Sequence, residues 1–120
     1  MDHLALAVGD QERSRRFYER YLGFTAEPTR RSDGVLMLHG PARFALALGE
    51  TTEPISFPEF LHFGTGLPTP EDVRAFRDRL VADGFEIVGE WDEPDYVSVK
   101  FRDPDGYVVE VSWESEEKPE

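Results

Sequence analysis

His3, His62 and Glu110 are the residues of this chain best suited to chemistry. Two imidazoles and a carboxylate make a facial ligand set for a divalent ion, and such a set leaves coordination positions open for a small molecule. The histidines open two strand-like segments that are near copies, His3-Leu4-Ala5-Leu6-Ala7-Val8 and Phe60-Leu61-His62-Phe63-Gly64-Thr65-Gly66-Leu67. Alternation with period two puts Leu4, Leu6 and Val8 on one face of the first and His3, Ala5 and Ala7 on the other. In the second, Leu61, Phe63 and Leu67 oppose His62, Gly64 and Gly66. Glu110 follows in a third segment, where Val109, Val111 and Trp113 form the apolar face and leave the carboxylate beside Val108 and Ser112. A carboxylate in such a strand is costly unless it is paired, ligated or solvated.

Around this trio the chain shows two matching sets of segments. After each histidine strand a helix is expected. The first has Asp10 as N-cap, Phe17, Tyr21 and Leu22 as its apolar stripe and Gly23 as its stop. The second has Thr69 as cap, Pro70 in the first turn, Asp72 in a near capping box, a stripe of Val73, Phe76, Leu80 and Val81, and Gly84 as its stop. Three strands then follow in each half: Phe24 to Pro28, Val35 to Leu38 and Arg43 to Leu48 in the first, and Phe85 to Trp91, Tyr96 to Phe101 and Tyr107 to Trp113 in the second. Turn-rich breaks separate them, among them Asp103-Pro104-Asp105-Gly106, which is too short for a calcium loop. The chain therefore reads as an α+β fold of two βαβββ repeats within a single domain, residues 1–50 and 59–113, joined by a linker over 51–58 and followed by an acidic tail over 114–120.

Matching Pro41 to Pro104 sets an offset of 63 (104 − 41) between the halves, and Glu110 then answers Ala47. By strand parity Tyr96, Ser98 and Lys100 share one face, with Val35, Met37 and His39 as first-half counterparts. Met37, His39, Tyr96, Ser98 and Lys100 are thus the candidates to line a substrate cup.

Composition narrows the function. The chain has 120 residues, the usual length of one domain. It has no cysteine, so disulfides and thiolate chemistry are excluded and any metal is held by nitrogen and oxygen. Its net charge of −12, from 25 acidic and 13 basic residues, disfavours nucleic acid and anionic membranes as partners. No apolar run reaches the length of a membrane span and the N-terminus lacks a signal-peptide pattern, so a cytoplasmic protein is expected.

His3 with Val8-Gly9-Asp10, the helix running to Tyr21-Leu22-Gly23-Phe24, then His62, and Phe101-Arg102-Asp103-Pro104-Asp105-Gly106-Tyr107 leading into Glu110 together resemble the vicinal oxygen chelate superfamily. That superfamily holds glyoxalase I, extradiol dioxygenases, fosfomycin-resistance transferases and bleomycin-resistance proteins. The resemblance implies curved mixed sheets that pair into a metal-binding cup, with His3, His62 and Glu110 as ligands. The fourth ligand position falls on Ala47, which tells against glyoxalase I. The remaining trio is similar to that of extradiol dioxygenases, which implies Fe(II) or Mn(II), with Zn(II) or Ni(II) as alternatives, and a small-molecule substrate chelated through vicinal oxygens. Ala5 stands where the fosfomycin enzymes carry threonine, Lys100 stands near the expected dioxygenase tyrosine, and no residue is assigned as the catalytic base. The resemblance further implies a homodimer with shared sites, His3 from one chain and His62 and Glu110 from the other. The alternative it carries is a metal-free protein that binds a drug or other small ligand, as bleomycin-resistance proteins do.

Overall fold

The structure is a computed structural model that describes residues 1–116. The chain divides into two compact units, Met1–Phe57 and the residues from Pro58 onward, so the boundary falls inside the expected linker. Each unit is one βαβββ repeat.

In the first unit β1 (His3–Val8) leads to α1 (Gln11–Tyr21), followed by β2 (Thr29–Arg30), β3 (Leu36–His39) and β4 (Ala45–Glu50). The sheet runs β1-β4-β3-β2, with β1 parallel to β4 and the other pairs antiparallel. Leu6, Val8, Leu36, Leu38, Leu46 and Leu48 are buried with Phe17 and Tyr18 of the helix. The Asp10 carboxylate caps α1 by accepting from the backbone N–H groups of Glu12 at 3.0 Å and Arg13 at 3.2 Å. Tyr18, rather than the expected Tyr21 and Leu22, is the residue α1 buries most deeply beside Phe17. Gln11, Ser14 and Tyr18 follow the helical period and turn toward the sheet, where Gln11 Nε2 donates to the Leu48 carbonyl at 2.8 Å.

The strand expected over Phe24 to Pro28 does not form; only Thr29–Arg30 pairs in that region. Phe24 donates its N–H to the Tyr18 carbonyl at 3.3 Å, and its ring meets Tyr18 edge-on, so it belongs to the helix end. Pro28 has no N–H to give a ladder.

In the second unit β5 (His62–Gly66) leads to α2 (Pro70–Ala82), then β6 (Gly89–Glu93), β7 (Tyr96–Arg102) and β8 (Val108–Glu114), with sheet order β5-β8-β7-β6. Val97, Val99, Phe101, Val109 and Val111 face Val73 and Leu80 in the core. Val81, expected in the stripe, is exposed instead. At the C-terminus of α2, Gly84 at φ +88° lets its own N–H reach the Val81 carbonyl and the Phe85 N–H reach the Leu80 carbonyl at 2.9 Å. That closure lays the Phe85 ring on Phe101 and delays the strand expected from Phe85, which starts at Gly89. At the far end β8 runs through Glu114, and the expected acidic tail from 117 on lies outside the described residues.

The two registers match. Ala5 is opposite Ala47 and Met37 opposite Ala47 in the first unit, while Gly64 and Lys100 are each opposite Glu110 in the second. The offset of 63 set by the two prolines therefore equates β4 with β8 and β3 with β7.

Candidate metal centre

In the second unit, β5 and β8 run parallel with Gly64 opposite Glu110, and His62 lies on the same sheet face two residues earlier. A Cβ at residue 64 would collide with the Glu110 carbonyl oxygen and stand 3.1 Å from Glu110 Cβ, so glycine is what allows β5 this close. His62 Nε2 is 3.8 Å from Glu110 Oε1, and the two side chains are 25% and 17% exposed. Donors bound to one ion at about 2.1 Å are separated by about 3.0 to 3.4 Å at bond angles from 90° to tetrahedral. The observed pair, at 3.8 Å, would have to close by about 0.4 Å for a tetrahedral ion and about 0.8 Å for ligands at 90°.

The other ring nitrogen of His62 is committed. Nδ1–H donates to the Phe60 carbonyl at 2.8 Å, which orients the ring and turns Nε2 to the Glu110 side. Glu110 is held as well: Tyr96 OH donates to Oε2 at 2.8 Å, and Ser98 Oγ donates to the same oxygen. Burial pushes the Glu110 carboxyl up, but the Ser98 and Tyr96 hydrogen bonds and the charges of Lys100 and His62 outweigh it, leaving the group below its ordinary value. Burial, reinforced by its bond to Glu110, raises the Tyr96 phenol, so it stays a donor.

His3 sits at the exposed start of β1 in the first unit. Its Nδ1 is 2.6 Å from Asp2 Oδ1, with the side chains 69% and 84% exposed. The hydrogen bond from His3, and then its charge, lower the Asp2 carboxyl below its ordinary value. In His3 as in His62, Nδ1 is hydrogen-bonded to an oxygen and Nε2 points away from that bond, which is the orientation of a metal-binding imidazole. Among the described residues no three His, Asp or Glu side chains stand together as a metal site. The pair His62 and Glu110 is brought together; His3 is described only within its own unit.

The remaining candidates divide. Tyr96 and Ser98 turn their hydroxyls onto Glu110, and Lys100 is half-buried opposite it. In the first unit Met37 is half-buried opposite Ala47, and the exposed His39 shares a hydrogen bond of 3.0 Å with Thr29 Oγ1. Parity pairs Met37 with Lys100, but places His39 against Arg102. Asp2 beside His3 and Gly64 opposite Glu110 are contacts that sequence reading did not single out. The Asp-His dipeptide was the available signal for the first, and the glycine opposite a carboxylate for the second. A cavity of about 580 Å³ lies between α2 and the strands β6 and β7, lined by Arg74, Arg77, Glu90, Asp92 and Ser98 among others and by none of His3, His62 and Glu110. Its guanidiniums are already paired, Arg74 with Asp92 and Arg77 with Glu90.

The Glyoxalase/Bleomycin resistance protein/Dioxygenase superfamily model matches residues 1–111. The chain belongs to that superfamily. Solved structures of the superfamily fold include a possible glyoxalase from Bacillus cereus, 28% identical over 92% of this chain and 96% of that one, with a TM-score of 0.76. A lactoylglutathione lyase from Agrobacterium tumefaciens is 22% identical, covering 94% and 92% of the two chains with a TM-score of 0.72. A variant of the fosfomycin resistance protein FosX from Listeria monocytogenes, in complex with Mn(II) and 1S,2S-dihydroxypropylphosphonic acid, is 18% identical over 92% and 86% with a TM-score of 0.74. No curated protein matches the sequence. Among the described residues no helix is long and apolar enough to cross a membrane.

Proposed function

We propose that this chain is a small metal-dependent enzyme of the vicinal oxygen chelate type. His62, Glu110 and His3 would hold a divalent ion, Fe(II) or Mn(II) foremost, in a homodimer whose cup joins His3 of one chain to His62 and Glu110 of the other. The observation that carries this reading is the His62–Glu110 pair at 3.8 Å, with Nδ1–H on a carbonyl and Nε2 directed to the carboxylate. The FosX variant with Mn(II) and a diol phosphonate is an instance of such a ligand on this fold. When bound, the ion would act as a Lewis acid toward two adjacent substrate oxygens. The protein's part is to hold the carboxylate through Tyr96 and Ser98, fix the imidazoles through Phe60 and Asp2, and set Lys100 beside Glu110 as a cation on the same face.

With Ala47 in the fourth position, the ligand count fits extradiol-type chemistry on a catecholate better than glyoxalase I chemistry. A chromogenic catechol added to Fe(II)- or Mn(II)-loaded protein tests the reading. Its visible band should shift on chelation, and the Fe(II) form should cleave catechols in air. A band unchanged from that of the metal-free protein would refute the chelate reading, and chelation without ring cleavage would refute only the dioxygenase assignment.

A second reading, metal-free binding of a cationic aromatic ligand, draws on Trp91, which is 60% exposed opposite Ser98, and on the net charge of −12. Quenching of indole fluorescence by such a ligand in metal-free protein would favour it.

A further inference from the structure

We infer that Tyr96 and Ser98 are positioning residues that make Glu110 a one-oxygen ligand, with Oε1 the oxygen offered to the ion. This rests on the metal reading above. A carboxylate has two oxygens with about four acceptor directions, and both hydroxyls here converge on one of them. Tyr96 and Ser98 are two residues apart on β7, so they share the face that Glu110 occupies on the neighbouring β8. Tyr96 OH donates to Oε2 at 2.8 Å, and the Ser98 hydroxyl, in a residue only 5% exposed, donates to Oε2 too. Neither hydroxyl donates to Oε1, the oxygen 3.8 Å from His62 Nε2. On the opposite side Gly64 admits the β5 backbone against Glu110, with room for no Cβ, so the base of the side chain is confined as its tip is. A two-oxygen grip would require breaking at least one of two charge-assisted hydrogen bonds, one of them from a buried donor.

The consequence concerns coordination number. With one oxygen from Glu110 and the imidazoles of His62 and His3, three protein donors would hold the ion, and it would keep room for the two adjacent oxygens of a chelating substrate. The first unit cannot do this. At the positions equivalent to Tyr96 and Ser98 it has Asp33 and Val35, which bring no hydroxyl to Ala47.

The test uses the full chain and Mn(II) alone. Carbon-13 labelling of glutamate and infrared difference spectra, with and without Mn(II), read the splitting between the asymmetric and symmetric carboxylate stretches of Glu110, identified by its loss in Glu110→Gln. A wide splitting, the mark of one-oxygen binding, is expected in the wild type. Ser98→Ala and Tyr96→Phe should each weaken Mn(II) binding by about 10- to 100-fold and narrow the splitting, whereas Ser98→Thr, which keeps the hydroxyl, should restore both. A narrow wild-type splitting, or variants with wild-type affinity, would overturn the inference and leave the metal site standing. Wild-type protein that takes up no Mn(II) would instead remove the metal reading, and this inference with it. The wild-type spectrum and Ser98→Thr decide the matter even if a truncated variant does not fold.

Discussion

Before its last strand the second unit turns through Asp103-Pro104-Asp105-Gly106, and the first through Gly40-Pro41-Ala42-Arg43. Both turns close with a backbone bond, Asp103 N–H to the Tyr107 carbonyl at 2.9 Å and Gly40 N–H to the Phe44 carbonyl at 2.7 Å. Beyond that they differ. In the second unit the buried Asp103 carboxylate accepts from the N–H groups of Asp105 and Tyr107, each at 2.9 Å, and Gly106 takes the left-handed position at φ +91°. In the first unit Arg43 occupies the position of Gly106 at φ +61°, and Ala42 beside it is at +55°. Side chains other than glycine are strained there. Gly40 replaces Asp103 because the Phe24 ring leaves no space; a Cβ would lie 2.7 Å from its edge.

The open faces diverge in the same direction. The second unit carries a carboxylate braced by two hydroxyls, and the first carries Ala5, Ala7, Ala45 and Ala47 on β1 and β4, with His3 at the start of β1 and Met37 and His39 on β3. Where a carboxylate is fixed by two hydroxyls, the strand that bears it begins from a braced turn. Where that position on the last strand is alanine, a strained turn is tolerated.

The sharpest way to break this comparison is at the paired positions Gly64 and Ala5. Gly64→Val should cost about 3 kcal/mol through the forced separation of β5 from β8, whereas Ala5→Val, at an exposed position that already has a Cβ, should change stability by less than about 0.5 kcal/mol. Urea unfolding measures both, and similar losses would refute the close-approach role of Gly64. Next comes the turn: Asp103→Ala strands two backbone donors and should cost about 2 kcal/mol in the same assay. Ala47→Glu places a carboxylate in the first unit without hydroxyl donors, so a loss of about 1 kcal/mol with no gain in metal uptake is expected. Tighter metal binding by that variant would show that the donors are dispensable. The smallest effect, and the only gain, is expected for Arg43→Gly, at about 0.5 to 1 kcal/mol from relief of the left-handed position. A loss there would mean that the Arg43 side chain does more than occupy the turn.

Both repeats and their register were legible in the sequence because two prolines in equivalent turns lock the frame, and period-two alternation then assigns faces without further information. Asp10, Thr69, Gly23 and Gly84 were legible for the same local reason: each is a cap whose chemistry is set within a few residues. The starts of β2 and β6 were not, since Phe24 and Phe85 look like strand residues but are drawn to Tyr18 and Phe101 by ring packing that spans the unit. At the candidate site, parity put Tyr96 and Ser98 on the face of Glu110 but could not say where their hydroxyls point. Which oxygen they bond depends on rotamers, and the Nδ1 partners of the histidines depend on a backbone carbonyl and a neighbouring aspartate that carry no periodic signal.

The proposed function requires His62, Glu110 and His3 to hold one divalent ion together. Equilibrium dialysis against Mn(II), on untagged protein and on His62→Ala, Glu110→Ala, His3→Ala and the His3→Ala/Glu110→Ala double variant, tests it most directly. One ion per chain in the wild type is expected, with affinity lowered by more than about 100-fold in each single variant, since removing a ligand should exceed the effect of removing its support. Wild-type binding no tighter than that of the double variant would contradict the claim.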